Sequence, residues 1–262
     1  MPNYKNYKKR IIKYQKKLSR YQSRIRSGFD KLKNLALNIG ISASSEFDLN
    51  DPNIRNLIFP CHLGIIFLGD FDVSIFNKLK DGLMRVYDSF FFDIQNLGEF
   101  NFPLELFSRG IKKESKEKRE RFKKVKLHPT NKFYQTLIEK RNEHNLDMII
   151  AITDLPLYSS SNQNIIFLFG EAHTKYRSCI VSTLKLRELY YERKKNEGLF
   201  ENRLKKEVIH EIGHLILGVN HCEDLSCVMT FSNEIEGIDK KSMNLCRNCK
   251  EKLIKFRIKS NF

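Results

Sequence analysis

VIHEIGHLILGVNHC, residues 208–222, is the stretch on which the reading of this chain turns. Val208, Ile209, Ile212, Leu215 and Ile216 are apolar at helical spacing, so it reads as a buried helix. His210 and His214 are four apart and leave one face of that helix, where two imidazoles can grip one metal ion. Glu211 follows the first His and can reach a water on that metal. Gly218 lets the chain turn back, and His221 can supply a third ligand. Three neutral imidazoles leave a Zn²⁺ ion one open position, which a catalytic zinc needs. The short H-E-x-x-H pattern also arises by chance in buried helices. The Gly turn, the third His and the cysteines behind it carry the metal reading further.

Those cysteines begin at the end of the same stretch. Cys222, Cys227, Cys246 and Cys249 are spaced C-x4-C and C-x2-C, separated by a loop. Two close pairs suit a closed tetrahedral site, a structural zinc that holds the fold and does no chemistry. In a chain whose N-terminus shows no apolar leader, such a cluster reads as metal binding before disulfides. Cys61 and Cys179 sit in apolar runs and read as core residues.

Upstream of the helix, strand-like apolar runs alternate with helical patterns. LGIIFL (63–68), SFFFDI (89–94), DMIIAIT (147–153), NIIFLF (164–169) and SCIVST (178–183) read as strands. Asp72 is placed to cap a helix with Phe76, Leu79, Leu83, Val86 and Tyr87 on its apolar side. Pro129 and Thr130 open another through Phe133, Leu137 and Ile138. Further helices are expected near 185–195 and 200–217. Strands and helices mix with no repeat, so the class is α/β or α+β.

The run H-E-x-x-H, Gly, His-Cys, x4, Cys-Val-Met, then Cys-x2-Cys resembles the archaemetzincins, a branch of the metzincin metalloproteases. GIIFLGDFD, DMIIAITDLPLY, IIFLFGEA and SCIVSTLKLR, in that order before the helix, resemble the family's core strands. The likeness covers roughly residues 60–255. It implies a metzincin-like α+β domain, a mixed α/β sandwich with a twisted mixed sheet, an active-site helix and a small zinc-bound C-terminal subdomain. It implies a catalytic zinc on His210, His214 and His221, Glu211 as general base, and Met229 in a Met-turn beneath the metal. It also implies a second zinc on the four cysteines. By analogy the peptide substrate lies along an edge strand, expected to be NIIFLF leading into the turn GEA.

The sequence departs from the family pattern at one point. Metzincins place Gly three residues after the second His and the third His six after it. Here Gly218 is four after His214 and His221 is seven after. Asn220 occupies the usual position and is a poor zinc ligand. Either the turn absorbs one extra residue or the third ligand is displaced; absorption is favoured, because the helix can run one residue longer.

The remaining features bound the function. The chain has 262 residues, 41% hydrophobic, enough for one substantial core. No run is apolar and long enough for a membrane span. Of the net charge of +16, residues 1–50 hold twelve Lys and Arg against three acids, and residues 112–126 nine against three. The remainder is near neutral. Charge is thus carried by an extension and an insert. The division expected is a basic helical extension and linker at 1–53 and a metalloprotease domain at 54–262. Tyr7, Ile11, Tyr14, Leu18, Tyr21, Ile25, Gly28, Leu32 and Leu35 recur at spacings of four and three, which places them on one stripe of a helix expected there. The leading function is a cytoplasmic, monomeric zinc peptidase acting on a peptide or protein substrate. The alternatives are a zinc-locked peptide-binding module without turnover, and nucleic-acid association through the basic extension, for which no nucleic-acid-binding fold signature is present.

Overall fold

The architecture is that of a computed structural model, and the description covers residues 59–102, 127–160 and 168–260. The basic extension and linker at 1–53 and the insert at 112–126 lie outside those residues. In chain order the elements are β1 (Cys61–Leu68), α1 (Ser74–Val86), β2 (Phe91–Glu99), β3 (His128–Pro129), α2 (Asn131–Glu143), β4 (Met148–Thr153), β5 (Leu157–Tyr158), β6 (Gly170–His173), β7 (Ser178–Ser182), α3 (Glu197–Leu217), α4 (Ile235–Lys240) and α5 (Arg247–Lys259).

The main sheet has the order β2-β1-β4-β7-β6. β2, β1, β4 and β7 run parallel, and β6 closes the edge antiparallel to β7. Parallel strands need cover on both faces, which is why β1 and β4 read as continuous apolar runs rather than alternating ones. Successive side chains still serve different layers. Leu63, Ile65, Phe67, Met148, Ile150 and Ile152 pack with α1, α3 and α5, while Ile66, Leu68, Ile149 and Ala151 pack with α2. Cys61 and Cys179 are buried in the first of these layers.

α1 starts beyond Asp72, whose carboxylate accepts the Ser74 N–H at 2.7 Å. It buries Ile75, Leu79 and Leu83 against the sheet and α3. α2 buries Phe133, Tyr134 and Leu137 on the other face.

Two expectations need correction. The segment near 185–195 is not one helix but two short 3₁₀ turns, Leu184–Leu186 and Glu188–Tyr191, with Arg187 extended between them. Arg203 explains the break. This buried guanidinium takes the Leu186 carbonyl at 3.0 Å and the Glu188 carboxylate at 2.6 Å, so that carbonyl serves α3 instead of a helical turn. Secondly, Gly170, Glu171 and Ala172 are not a turn but the edge strand itself. Gly170 is there for close approach: a Cβ on it would overlap the Glu211 carboxyl. Residues 161–167 of the expected edge-strand region lie outside the described residues.

The C-terminal helices were not anticipated. α5 buries Cys249, Leu253 and Phe256, a narrow stripe in an otherwise charged segment. Among the described residues no helix is long and apolar enough to cross a membrane.

Candidate metal centre

α3 is the spine of the site. The Asn196 side chain caps it by accepting the Leu199 N–H at 3.0 Å. From Glu207 to Ile216 every residue is buried. The helix therefore runs through the core, and its His and Glu side chains are held by packing on all sides. It ends at Leu217. Gly218 follows with φ of 98°, a conformation side chains disfavour, and turns the chain back.

That turn brings His221 to His210 and His214; one ring nitrogen of each lies within 4.8 Å of the others. Asn220 is exposed on the surface. With this spacing it is His221, and not Asn220, that meets the two helix histidines.

His210 Nδ1 lies 2.8 Å from the Val228 carbonyl, and His214 Nδ1 lies 2.9 Å from that of Gly218. A carbonyl only accepts, so both Nδ1 atoms carry the proton and both Nε2 atoms present lone pairs. Those two Nε2 atoms face each other at 3.1 Å. Burial, the largest cause, holds both rings neutral: His210 is pushed well below the ordinary range and His214 to about 3. Two facing lone pairs with no proton between them are satisfied by a cation, so the donor set fits a zinc ion.

Glu211 is buried against Gly170, and its Oε2 has no hydrogen-bond partner. Burial first, then the Glu207 carboxylate one turn away, push its carboxyl well above the usual range, opposed by Lys241. Lys241 and Glu207 form a buried ion pair at 2.8 Å on the N-terminal side.

The four cysteines meet a short distance away. Cys246 caps α5 and Cys249 lies in its first turn, while Cys222 and Cys227 come from the loop after α3. Their sulfurs lie within 4.8 Å of one another, with Cys222 and Cys246 3.5 Å apart and none in a disulfide. Hydrogen bonding from the Cys249 thiol, aided by the backbone N–H groups of Cys246 and Met229, pulls the Cys227 thiol down to about 5. A thiolate held among three further sulfurs fits a closed zinc site.

Met229 sits between the clusters, with its sulfur 3.8 Å from the Tyr87 hydroxyl. Tyr87 donates to the Ile209 carbonyl at 2.8 Å. A Cβ on Gly213 would overlap both Met229 Sδ and the Tyr87 hydroxyl oxygen. The contacts of Tyr87, Gly170 and Gly213 with this site and the Lys241–Glu207 pair escape the sequence reading. Gly213 alone leaves a signal, since glycine inside a helix costs ~1 kcal/mol against alanine and calls for a packing reason.

Comparison with known proteins gives the family and the fold. Residues 62–255 match the sequence profile described as "Peptidase family M54". The archaemetzincin of Methanocaldococcus jannaschii is 38% identical over 121 residues, 46% of this chain and 65% of that protein. The archaemetzincin of Thermococcus kodakarensis is 38% identical over 123 residues, 47% of this chain and 64% of its own length. The aligned stretch therefore spans just under two thirds of these curated relatives. Among solved structures, an archaemetzincin from Methanopyrus kandleri superposes with a TM-score of 0.56 at 24% identity, over 75% of this chain and 94% of that one. A zinc-dependent peptidase from Methanocorpusculum labreanum gives 0.55 at 22% identity, over 73% and 99%. The fold is that of the archaemetzincins.

Proposed function

This chain belongs to peptidase family M54, and on that premise we propose that it is a zinc-dependent peptidase whose working parts are His210, His214, His221 and Glu211. The observation that carries the reading is the pair of facing Nε2 lone pairs of His210 and His214 at 3.1 Å, with His221 closing the set and Glu211 beside it. The three imidazoles would hold the catalytic zinc. When bound, that ion supplies Lewis acidity, polarising the scissile carbonyl and making water a nucleophile near neutral pH.

The protein's own groups do the rest. The Val228 and Gly218 carbonyls fix the tautomer and aim of His210 and His214. Glu211 would take the proton of the attacking water on its unpartnered Oε2 and pass it to the leaving amine. β6 is the edge of the sheet among the described residues, and Gly170 in it lies against Glu211. An extended peptide adding alongside β6 would bring its backbone past that carboxylate. Cys222, Cys227, Cys246 and Cys249 would hold a second, structural zinc, giving two per chain.

The test is hydrolysis of an unstructured peptide by the wild type and by Glu211→Gln, with zinc counted in both. The rate should fall roughly 10²–10⁴-fold while both metals stay. Undiminished hydrolysis by the variant removes Glu211 from the reaction. A wild type holding two zincs that binds peptides and never cleaves them is the non-catalytic module instead.

A further inference from the structure

We propose that the outward face of α5 docks on an anionic lipid surface. α5 turns Cys249, Leu253 and Phe256 to the core. Its opposite side carries Ile254 and Ile258, 54% and 71% exposed. Spaced by four, they lie one above the other on the helix surface. Lys250 and Arg257 run along one side of that line and Lys255 along the other, beyond Glu251; both lysines are exposed. Residues 247–259 hold six Lys and Arg against the single acid Glu251. Glu251 is itself engaged by Arg247, Nε to Oε1 at 3.0 Å.

Isoleucines framed on both sides by cations are what an interfacial helix presents to a membrane. The apolar side chains enter the boundary between headgroups and acyl chains, and the ammonium groups reach anionic headgroups on flexible stems. Other occupants fit less well. The stretch of residues 1–50 carries twelve basic groups against three acids, and a second copy docking by the same helix would bring the same six cations against one acid, so the basic face repels both. A nucleic acid would meet the cations but offers nothing apolar to Ile254 and Ile258 at the centre of the face.

The surroundings support the assignment. Phe59 packs edge-on against Phe256 on the inner side of α5, with ring centroids 5.1 Å apart, so the helix is anchored to the core through the face opposite Ile254 and Ile258. The docking face lies on the far side of α5 from Cys249, so contact with lipid involves neither cysteine nor histidine cluster. It is independent of the peptidase reading.

The experiment is co-sedimentation of the full chain with vesicles of phosphatidylcholine alone and of phosphatidylcholine mixed with phosphatidylserine, at about 0.15 M salt. Binding should require phosphatidylserine. Ile254→Ser/Ile258→Ser changes no charge and should lower the partition constant about tenfold or more. Lys250→Glu/Lys255→Glu should abolish it, with circular dichroism and zinc content unchanged in both variants. The proposal falls if the wild type ignores phosphatidylserine vesicles. It falls if the isoleucine variant binds them like the wild type, which places adhesion in the basic runs at 1–50 and 112–126. It falls as well if the chain ignores the vesicles but binds duplex RNA and loses that binding in Lys250→Glu/Lys255→Glu.

Discussion

The histidine cluster and the cysteine cluster meet at one peptide bond, between His221 and Cys222, yet they are built on opposite principles. Two of the three histidines stand on a helix buried on every side, and backbone carbonyls hold their rings. That site is shaped by the fold and only finished by a metal. The cysteines come from a loop and from the start of a short helix, and Cys222 and Cys246 are half-buried. Cys227 and Cys249 are buried in the core, but Cys222 and Cys246 lie at its margin, where a bound metal would tie the loop to α5. The first arrangement suits chemistry, which needs rigid ligands and an open position. The second suits folding, where metal affinity becomes stability.

The largest expected effect breaks the two sites apart. Cys249→Ser should cost most of the stability of the C-terminal region, because structural zinc contributes on the order of 10 kcal/mol in zinc peptides. The loss should reach the other cluster too. Val228, whose carbonyl aims His210, sits next to Cys227, and its N–H donates to the Asn244 carbonyl at 3.0 Å. Both metals should therefore fall in Cys249→Ser, while His210→Ala should lose one zinc and keep its melting temperature within a few degrees. The measurement is metal content beside thermal unfolding. A Cys249→Ser protein with wild-type melting and two metals would remove the distinction between the sites.

A smaller effect sharpens the comparison at the junction. His221 converges with His210 and His214, and Asn220 faces solvent. We expect His221→Ala to weaken zinc at the histidine site by at least the 10–100-fold that loss of an outer-shell partner costs, since a ligand itself is removed. Asn220→Ala should leave zinc occupancy unchanged. Titration against a zinc-competing chelator distinguishes them. Equal losses in the two variants would mean the turn at Gly218 does not fix the third ligand.

The sequence made some of this legible and concealed the rest for physical reasons. Ligand spacing is local, so His210, His214 and the paired cysteines can be read as a pattern. β1, β4 and β7 were legible because sheet strands covered on both faces must be apolar throughout. The break at Arg187 was not, because its cause is Arg203 reaching across from α3. Gly170 suggested a turn, whereas its need for space comes from Glu211, far away in sequence. α5 was hidden by its charge, since only Cys249, Leu253 and Phe256 face inward. Tyr87 is 122 residues from the carbonyl it binds, and nothing near it in sequence announces that contact.

Tyr87 also sets the smallest test, at the seam where the two clusters share packing. Its hydroxyl is fully buried, donates to the Ile209 carbonyl at 2.8 Å and lies 3.8 Å from Met229 Sδ. Ile209 is the residue before His210, which invites reading the bond as a device that positions the zinc ligands. The energetics argue for a lesser role. The Ile209 carbonyl lies inside a continuous helix and keeps its helical N–H partner when the hydroxyl is gone. Tyr87→Phe then removes one hydrogen bond without stranding an acceptor, which costs about 1 kcal/mol. The ring that fills the space beside Gly213 and Met229 remains. Urea unfolding should show a lower midpoint with an unchanged slope. Zinc content should stay at two, and peptide hydrolysis should change less than about twofold, because α3 is held by packing along its whole buried length. If Tyr87→Phe instead sheds the histidine-site zinc with little loss of stability, the hydroxyl aims the ligands through the Ile209 carbonyl, and packing along α3 is not enough to hold the histidine cluster.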